Sequence, residues 1–428
     1  MKTLNNPAES TWKDICERPS LDMDSLEGTV RNILNRVKVS GDDAVKALTL
    51  QHDRVELKSL KVTTEELEKA SRQVPDKLKE AIRTAKQNIV RFHLAQKQDI
   101  LKVETMPGVV CWRKPLPIEK VGIYVPGGTA PLFSTLLMLG VPATLAGCKE
   151  IVICTPPDPS GNIHPSVLFT AATLGLDHIV KAGGAQAIGA MAYGTQSITA
   201  VHKIFGPGNQ YVTKAKQLVN MEGIAIDLPA GPSELVIVAD GAANPQYIAA
   251  DLLSQAEHGP DSQVVLVTTA PALVEKVREE IALQLEALPR QNIARQALHH
   301  SLFLTFESID TALHFVNTYA PEHLILHTTH CEDMAQQIRH AGSVFLGPYS
   351  PESVGDYASG TNHTLPTAGW AKAYGGVSLE SFQKYITFQQ LSRQGLSLLG
   401  PVVQIMAEAE NLTAHQYAVT CRLNTMEI

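Results

Sequence analysis

The chain of 428 residues carries a net charge of −7 at pH 7, and 18% of its residues are charged. This ordinary globular balance offers no basic surface for nucleic acid, and no apolar run reaches the ~20 residues of a membrane span. Since no leader-like segment begins the chain, we expect a cytoplasmic protein of two or three domains at roughly 150 residues each.

The six cysteines show no C-x-x-C spacing, so we expect reduced thiols without a metal or disulfide framework. Cys154 ends the strand-like run EIVIC, where it could in principle trap an aldehyde. A small core side chain at a strand end is the favoured interpretation. No covalent role is therefore assigned to it.

The N-terminal region, residues 1–117, is predicted to be mainly helical. Thr63 and Glu66 have capping-box spacing. The stretch that begins at Leu78 then carries apolar residues at helical intervals. We expect this region to pack with the second of the two α/β units that follow it.

From Ile118 the pattern changes to short β-branched runs that alternate with helical segments. Such alternation predicts parallel sheets covered by helices. The series restarts near residue 232, so we predict an α/β fold with two Rossmann-like units, residues 118–231 and 232–374, related by duplication. The last segment, residues 375–428, is predicted to be helical again.

Three glycine-rich turns follow predicted strands of the first unit. They are Pro126-Gly127-Gly128, Gly183-Gly184-Ala185-Gln186 and Gly206-Pro207-Gly208-Asn209, and none has the spacing G-x-G-x-x-G. Ligands of α/β sheets bind at the carboxyl ends of strands, and a helix N-terminus favours anions. Because glycine also serves turn geometry alone, a nucleotide site and a conformational role both stay open.

A candidate metal site combines residues that are distant in sequence. Gln255 and His258 lie three positions apart at the end of a predicted helix, so they share one helical face. With Asp356 and His415 they would offer two imidazole nitrogens and two oxygens to zinc, although glutamine is an unusual ligand. His363 competes with His415 for the fourth position, and His258 is equally explained as a cation at a helix C-terminus.

Glu322 and His323 form a pair of a different kind. Adjacent strand residues point to opposite faces, but Pro321 indicates a loop entering a strand, so both side chains can line one cleft. Histidine is suited to proton transfer near neutral pH, and a glutamate can activate water. A solvated loop pair is the alternative.

Long segments between Val121 and Arg422 carry a family resemblance. They include GGAQAIGAMAYGT, KIFGPGNQYVTKAK, DLLSQAEHGPDSQ, YAPEHLIL, SPESVGDYASGTNHTLPT and LTAHQYAVTCR. Taken in order, these segments resemble the histidinol dehydrogenase family. The stretch AGWAKAYGGVSLESFQK is more individual, so the substrate contacts near it are less well defined.

The resemblance implies an enzyme that oxidises L-histidinol to L-histidine through L-histidinal with two NAD, in the last steps of histidine biosynthesis. It implies His323 as general base and Glu322 as the group that activates water. One zinc per subunit would be held by Gln255, His258, Asp356 and His415. The other positions carried over are the substrate contacts Ser233, Gln255, His258, His323, Asp356, Glu410 and His415 and the NAD contacts Tyr124, Gln186 and Asn209.

The resemblance also implies an intertwined homodimer, in which Glu410 and His415 reach the site of the partner. The alternatives are a zinc- and NAD-dependent dehydrogenase of another small alcohol, a zinc hydrolase that needs no nicotinamide, and a catalytically silent binding protein. Ser233, Glu322 and Glu410 all match the histidinol pattern, which argues against another alcohol. The silent protein is disfavoured because every catalytic position is filled.

Overall fold

A computed structural model describes residues 1–19, 23–127, 130–229 and 231–425. The chain forms two compact units: one combines residues 1–95 with 118–382, and the other combines 96–117 with 383–428. Within the described residues, no helix is long and apolar enough to cross a membrane.

The N-terminal region begins with a strand and continues as helices. Its long second helix has a non-helical residue, Gly41, with φ of 52°. The capping box predicted at Thr63 and Glu66 is present, with each side chain accepting from the other residue's backbone N–H. The elements are β1 (Lys2–Asn5), a 3-10 turn (Glu9–Thr11), α1 (Trp12–Ile15), α2 (Met23–Asp53), α3 (Thr64–Gln73) and α4 (Asp76–Leu94), followed by β2 (Lys102–Met106) and β3 (Val109–Pro117) of the second unit.

A five-stranded parallel sheet follows, with strand order β6-β5-β4-β7-β8. The chain reverses its direction of winding between β4 and β7, which makes the carboxyl ends of these strands the expected ligand-binding edge. The elements are β4 (Lys120–Tyr124), α5 (Phe133–Ala146), β5 (Glu150–Thr155), α6 (Pro165–Leu174), β6 (Ile179–Lys181), α7 (Gly184–Tyr193), β7 (Lys203–Phe205), α8 (Gln210–Met221) and β8 (Ala225–Ile226).

The second α/β part repeats this winding in the order β11-β10-β9-β12-β13 and adds β1 as a parallel edge strand beside β11. The fold class predicted from the strand–helix alternation is confirmed. The elements are β9 (Glu234–Ala239), α9 (Pro245–Ala256), β10 (Gln263–Thr268), α10 (Pro271–Leu285), α11 (Gln291–His299), β11 (Leu302–Thr305), α12 (Ile309–Tyr319), β12 (His323–His327), α13 (Cys331–Ala335), β13 (Ser343–Leu346), α14 (Glu352–Tyr357) and 3-10 turns at Trp370–Lys372 and Leu379–Phe382.

Helices cover both faces of the second sheet. Along β9, Leu235 and Ile237 belong to one hydrophobic cluster, whereas Val236 and Val238 belong to another. Successive strand side chains alternate between faces. Near-continuous apolar runs therefore mark strands buried on both sides, as parallel sheets require.

The N-terminal helices pack on the first sheet, not on the second as expected. Helix α2 contacts α7 and α8, α3 contacts α6, and α4 contacts α5. Only the start of the region follows the expectation, because β1 pairs with β11 and Trp12 of α1 lies in the core of the second sheet. The apolar face of an amphipathic helix shows that the helix will pack against something, but it does not specify which apolar surface that will be. The domain limits at 118–231 and 232–374 stay predictions.

The second compact unit contains an antiparallel sheet, whereas the prediction was a mainly helical region for residues 1–117 and helix for residues 375–428. Its strand order is β14-β3-β2, with β14 (Gln383–Leu391) paired along the whole of β3. Helices α15 (Arg393–Ala409) and α16 (Thr413–Asn424) complete it. Strand β14 escaped prediction because its partner β3 lies far away in sequence, and pairing partners largely determine strand preference. Strands β2 and β3 form a local hairpin around Pro107-Gly108, a turn signal that the sequence analysis did not use.

Candidate functional site

A cavity of about 690 Å³ opens at the carboxyl edge of the first sheet. This volume is in the range of small-molecule and cofactor sites. Its lining includes Tyr124, Gln186 and Asn209, the three residues singled out at the glycine-rich turns. The first of those turns extends to Gly128, which lies outside the described residues.

The three cavity residues come from three different strand–helix connections. Tyr124 ends β4, and its hydroxyl accepts the N–H of Gly184 at 3.1 Å. Burial raises the pKa of Tyr124 to about 12, so the phenol stays neutral. Gln186 is buried in the first turn of α7, while Asn209 caps α8 by accepting the N–H groups of Tyr211 and Val212.

The turn after β7 is held close to β4. Gly206 has φ of 123°, and a Cβ there would collide with the carbonyl oxygen of Tyr124. Its N–H donates to Asp227 at 2.8 Å and its carbonyl accepts from Lys216 Nζ at 2.9 Å. Gly206 therefore has the conformational role that was left open for the glycine-rich turns. The turn that it forms leads directly to Asn209.

A second group of candidate residues surrounds the start of β12. Glu322 and His323 are both buried, with His323 on the strand and Glu322 just before it. His323 Nδ1 lies 3.6 Å from Glu322 Oε2 and 3.9 Å from Glu352 Oε1. Its Nε2 lies 3.5 Å from Asp356 Oδ1. A solvated loop pair is thereby excluded.

Electrostatics in this cluster are dominated by burial and by paired charges. Burial alone would lower the pKa of His323, but the nearby carboxylates of Glu352, Glu322 and Asp356 raise it well above its usual value. Burial raises the pKa of Glu352, the charge of His323 opposes this rise, and the Asp356 and Glu322 carboxylates add to it. An imidazolium at His323 is thus stabilised from both ring nitrogens.

His258, Glu352 and Asp356 could hold a metal ion, because their candidate ligand atoms all lie within 4.8 Å of one another. His258 Nε2 and Asp356 Oδ2 are 4.0 Å apart. Gln255 is fully buried nearby in sequence on α9, and neither its Oε1 nor its Nε2 has a hydrogen-bond partner within the described chain. Imidazole and carboxylate fit the preferences of zinc, and the partnerless Gln255 amide is a buried polar group that a bound ion would satisfy.

Glu352 was missed by the sequence analysis. It stands four residues before Asp356 on α14, a spacing that places both carboxylates on one helical face. That spacing was the available signal, but a carboxylate pair on a short segment is common. Only the fold shows that this face meets His323.

The remaining candidates lie in different places. Ser233 precedes β9, and its carbonyl accepts the N–H of Gln263. His363 Nδ1 is 2.9 Å from the carbonyl oxygen of Asp356, and the loss of water around its ring lowers its pKa. Glu410, directly after α15, and His415, in the first turn of α16, are exposed residues of the second unit.

Fold and site define an α/β protein with a cofactor-sized cavity beside one sheet and an acid–histidine cluster beside the other. A family model described as "Histidinol dehydrogenase" matches residues 16–423. The chain belongs to the histidinol dehydrogenase family.

Individual relatives agree with this assignment. The chain is 56% identical over 427 residues to a histidinol dehydrogenase of Bacteroides thetaiotaomicron, with 100% of both chains covered. It is 49% identical over 423 residues to one of Vibrio cholerae, covering 98% of this chain and 97% of the other. A crystal structure of the Elizabethkingia anophelis histidinol dehydrogenase superposes with a TM-score of 0.98 at 51% identity, covering 100% of this chain and 99% of that one.

Proposed function

We propose that the protein oxidises L-histidinol to L-histidine through L-histidinal, reducing two NAD in the last steps of histidine biosynthesis. The observation that carries the proposal is the buried His323, flanked by Glu322, Glu352 and Asp356. A base that receives the hydroxyl proton as hydride leaves must be stabilised as a cation, and these carboxylates supply that stabilisation. The family relation supplies the substrate.

His323 and Glu322 take the proton-transfer roles. His323 accepts the alcohol proton in the first oxidation. Glu322 then accepts a proton from the water that attacks histidinal, and His323 serves again as base when the hydrate is oxidised. Burial of both groups keeps the aldehyde away from bulk water between the two steps.

Zinc is the metal that we propose for the cluster, one ion per subunit. Gln255, His258 and Asp356 would bind it, with His415 as the fourth ligand, and Glu352 would stay beside His323 as a neighbouring carboxylate. Bound zinc would supply a template that fixes the imidazole and amino nitrogens of the substrate. Ser233 and Glu410 complete the proposed substrate contacts.

The cavity of the first sheet is proposed to bind NAD through Tyr124, Gln186 and Asn209. Support comes from its volume and from its place at the switch of winding between β4 and β7. The N-terminus of α7 at the same edge favours the pyrophosphate.

A homodimer with shared sites is the proposed assembly, in the cytoplasm. Helix α15 exposes Leu398, Val402 and Ile405 at intervals of four and three residues, which forms one apolar face. A monomer would leave this face in water. Glu410 and His415 follow in sequence, so covering the face with a second copy would bring them to that copy.

The test follows NADH production from L-histidinol in zinc-loaded protein, together with chromatography of the product. We expect about two NADH for each histidine formed, because the oxidation removes four electrons. A zinc hydrolase would release no NADH. A dehydrogenase of another alcohol would leave histidinol untouched and would respond to a panel of small alcohols instead.

A further inference from the structure

A buried ion pair joins the N-terminal segment to the strand beside Glu322. Arg18 Nε lies 2.6 Å from Glu234 Oε2, its Nη2 donates to Glu234 Oε1 at 3.1 Å, and the side chains are 11% and 0% exposed. The guanidinium also donates to the carbonyls of Cys16 and Tyr319 and lies 3.5 Å over the Tyr319 ring. These contacts hold the Arg18 guanidinium in place against the Glu234 carboxylate.

Glu234 and Glu322 hold each other through reciprocal hydrogen bonds. The N–H of Glu234 donates to Glu322 Oε2 at 2.9 Å, and the N–H of Glu322 donates to Glu234 Oε1 at 3.2 Å. They meet because β9 and β12 are neighbours, with Leu235 opposite His323. The same Oε2 atom is the one 3.6 Å from His323 Nδ1.

Burying two carboxylates side by side is unfavourable unless a cation compensates. Burial and the nearby Glu322 raise the pKa of Glu234, whereas the bond to Arg18 opposes that rise. Without Arg18, Glu234 would take up a proton or turn away. Glu322 would then lose the acceptor for its N–H and the fixed direction of its carboxylate.

We propose that Arg18 and Glu234 are positioning residues that set the orientation of the Glu322 carboxylate for water activation. This inference rests on the proposed function. It assigns a role in the second oxidation to a residue more than 300 positions before Glu322 in sequence. A merely structural ion pair would instead affect both oxidations alike.

The experiment compares single-turnover rates of the two oxidations in zinc-loaded holoenzyme, with histidinol and with histidinal as substrates. Arg18→Met should slow histidinal oxidation by roughly ten- to a hundredfold, as loss of supporting contacts around a site does. Histidinol oxidation and both KM values should stay within about threefold. Arg18→Lys should recover part of the rate, because lysine keeps the positive charge but cannot form the paired hydrogen bonds of the planar guanidinium.

A double-mutant cycle and a matched control separate positioning from stability. In the Glu322→Gln background, Arg18→Met should cause no further loss, because it acts through the removed carboxylate. Lys214→Met breaks an ion pair with Glu27 whose cation is 9% exposed, and it should leave both rates unchanged. If Arg18→Met does not fold, Glu234→Gln keeps the volume and replaces it in the cycle.

Equal slowing of both oxidations, or additive losses in the cycle, would overturn the positioning role. Failure of the unmodified enzyme to oxidise histidinol or histidinal would contradict the proposed function instead. The two failures are therefore distinguished within the same set of assays.

Discussion

His323 lies near carboxylates on both sides of its ring. Some of these carboxylates are candidate metal ligands and others are candidate partners in proton transfer. Asp356 approaches both His258 and the Nε2 of His323, while Glu352 approaches Nδ1. The Asp356 carboxylate thus lies between His258 of the candidate metal group and His323. Glu352 is close enough to serve either role.

Substitution of His258 and of Glu352 should have different consequences. His258→Asn should lose most bound zinc together with activity, because a site missing an imidazole binds the metal far less tightly. Glu352→Gln should keep its zinc and lose rate in both oxidations, because the carboxylate 3.9 Å from His323 Nδ1 is neutralised. Elemental analysis of purified protein is the measurement. Full zinc content in His258→Asn would refute its assignment as a ligand, and zinc loss in Glu352→Gln would make Glu352 one.

Asp251 gives a prediction about pH and stability. It lies one turn before Gln255 on α9, and burial raises its pKa to about 7 from 3.8. The folded state then binds a proton that the unfolded state releases, so the free energy of unfolding falls as pH rises through this interval and levels off above it. Asp251→Asn removes this fall in the free energy of unfolding, because asparagine does not titrate. At pH 8 the variant should gain about 2 kcal/mol over the parent protein, after a discount for partial exposure.

The measurement is denaturant unfolding of zinc-free protein at pH 5 and pH 8. The gain from Asp251→Asn should be larger at pH 8 than at pH 5. Asp310→Asn, at an exposed position, is the control and should show nearly the same effect at both values. A gain that shrinks with rising pH would contradict the raised pKa.

At the scale of elements, the site depends on how closely two connections approach. The turn after β7 touches the end of β4 only because Gly206 has no side chain. The same turn leads to Asn209, which caps α8 and lines the cavity. One turn therefore combines the conformational role of Gly206 with a residue that is proposed to bind NAD.

Gly206→Ala should raise the KM for NAD by about ten- to a hundredfold, because the added methyl group displaces the turn from Tyr124. Gly175→Ala is the matched control. Gly175 also has positive φ, at 74°, but no atom lies within 4 Å of the added carbon, so only about 1 kcal/mol of backbone strain is expected. Steady-state kinetics with NAD varied at saturating histidinol measure both variants. Equal KM values for NAD in the two variants would show that the turn at Gly206 has no part in cofactor binding.

At the scale of the whole molecule, Glu410 and His415 belong to a compact unit distinct from the one that carries His323. The proposed assembly with shared sites would supply Glu410 and His415 from a second copy. The exposed apolar face of α15 supports association.

A mixed dimer provides a test of this assembly. His323→Ala and His415→Ala should each be inactive alone. In a dimer with one chain of each kind, one site collects both defects and the other combines intact His323 and His415 from different chains. Co-expression with two affinity tags should therefore recover up to about half of normal activity. A verified mixed dimer without activity would mean that His415 serves its own chain.

Local patterns predicted the parts of the fold that depend on neighbouring residues. Thr63 and Glu66 predicted a helix start, and the apolar runs of β9 and β10 predicted buried parallel strands. The long segments that resemble the family identified it, and the family model and the full-length relatives confirm this. Periodicity and capping act within a few residues, so sequence alone is sufficient for them.

Tertiary structure decided what depends on contacts between distant segments. It paired β14 with β3, placed α2–α4 on the first sheet and brought Glu352 to His323. It also buried Arg18 against Glu234, which no local pattern indicates. Local patterns predict which elements form, whereas partner choice depends on which complementary surfaces and charges remain to be covered once the sheets have formed.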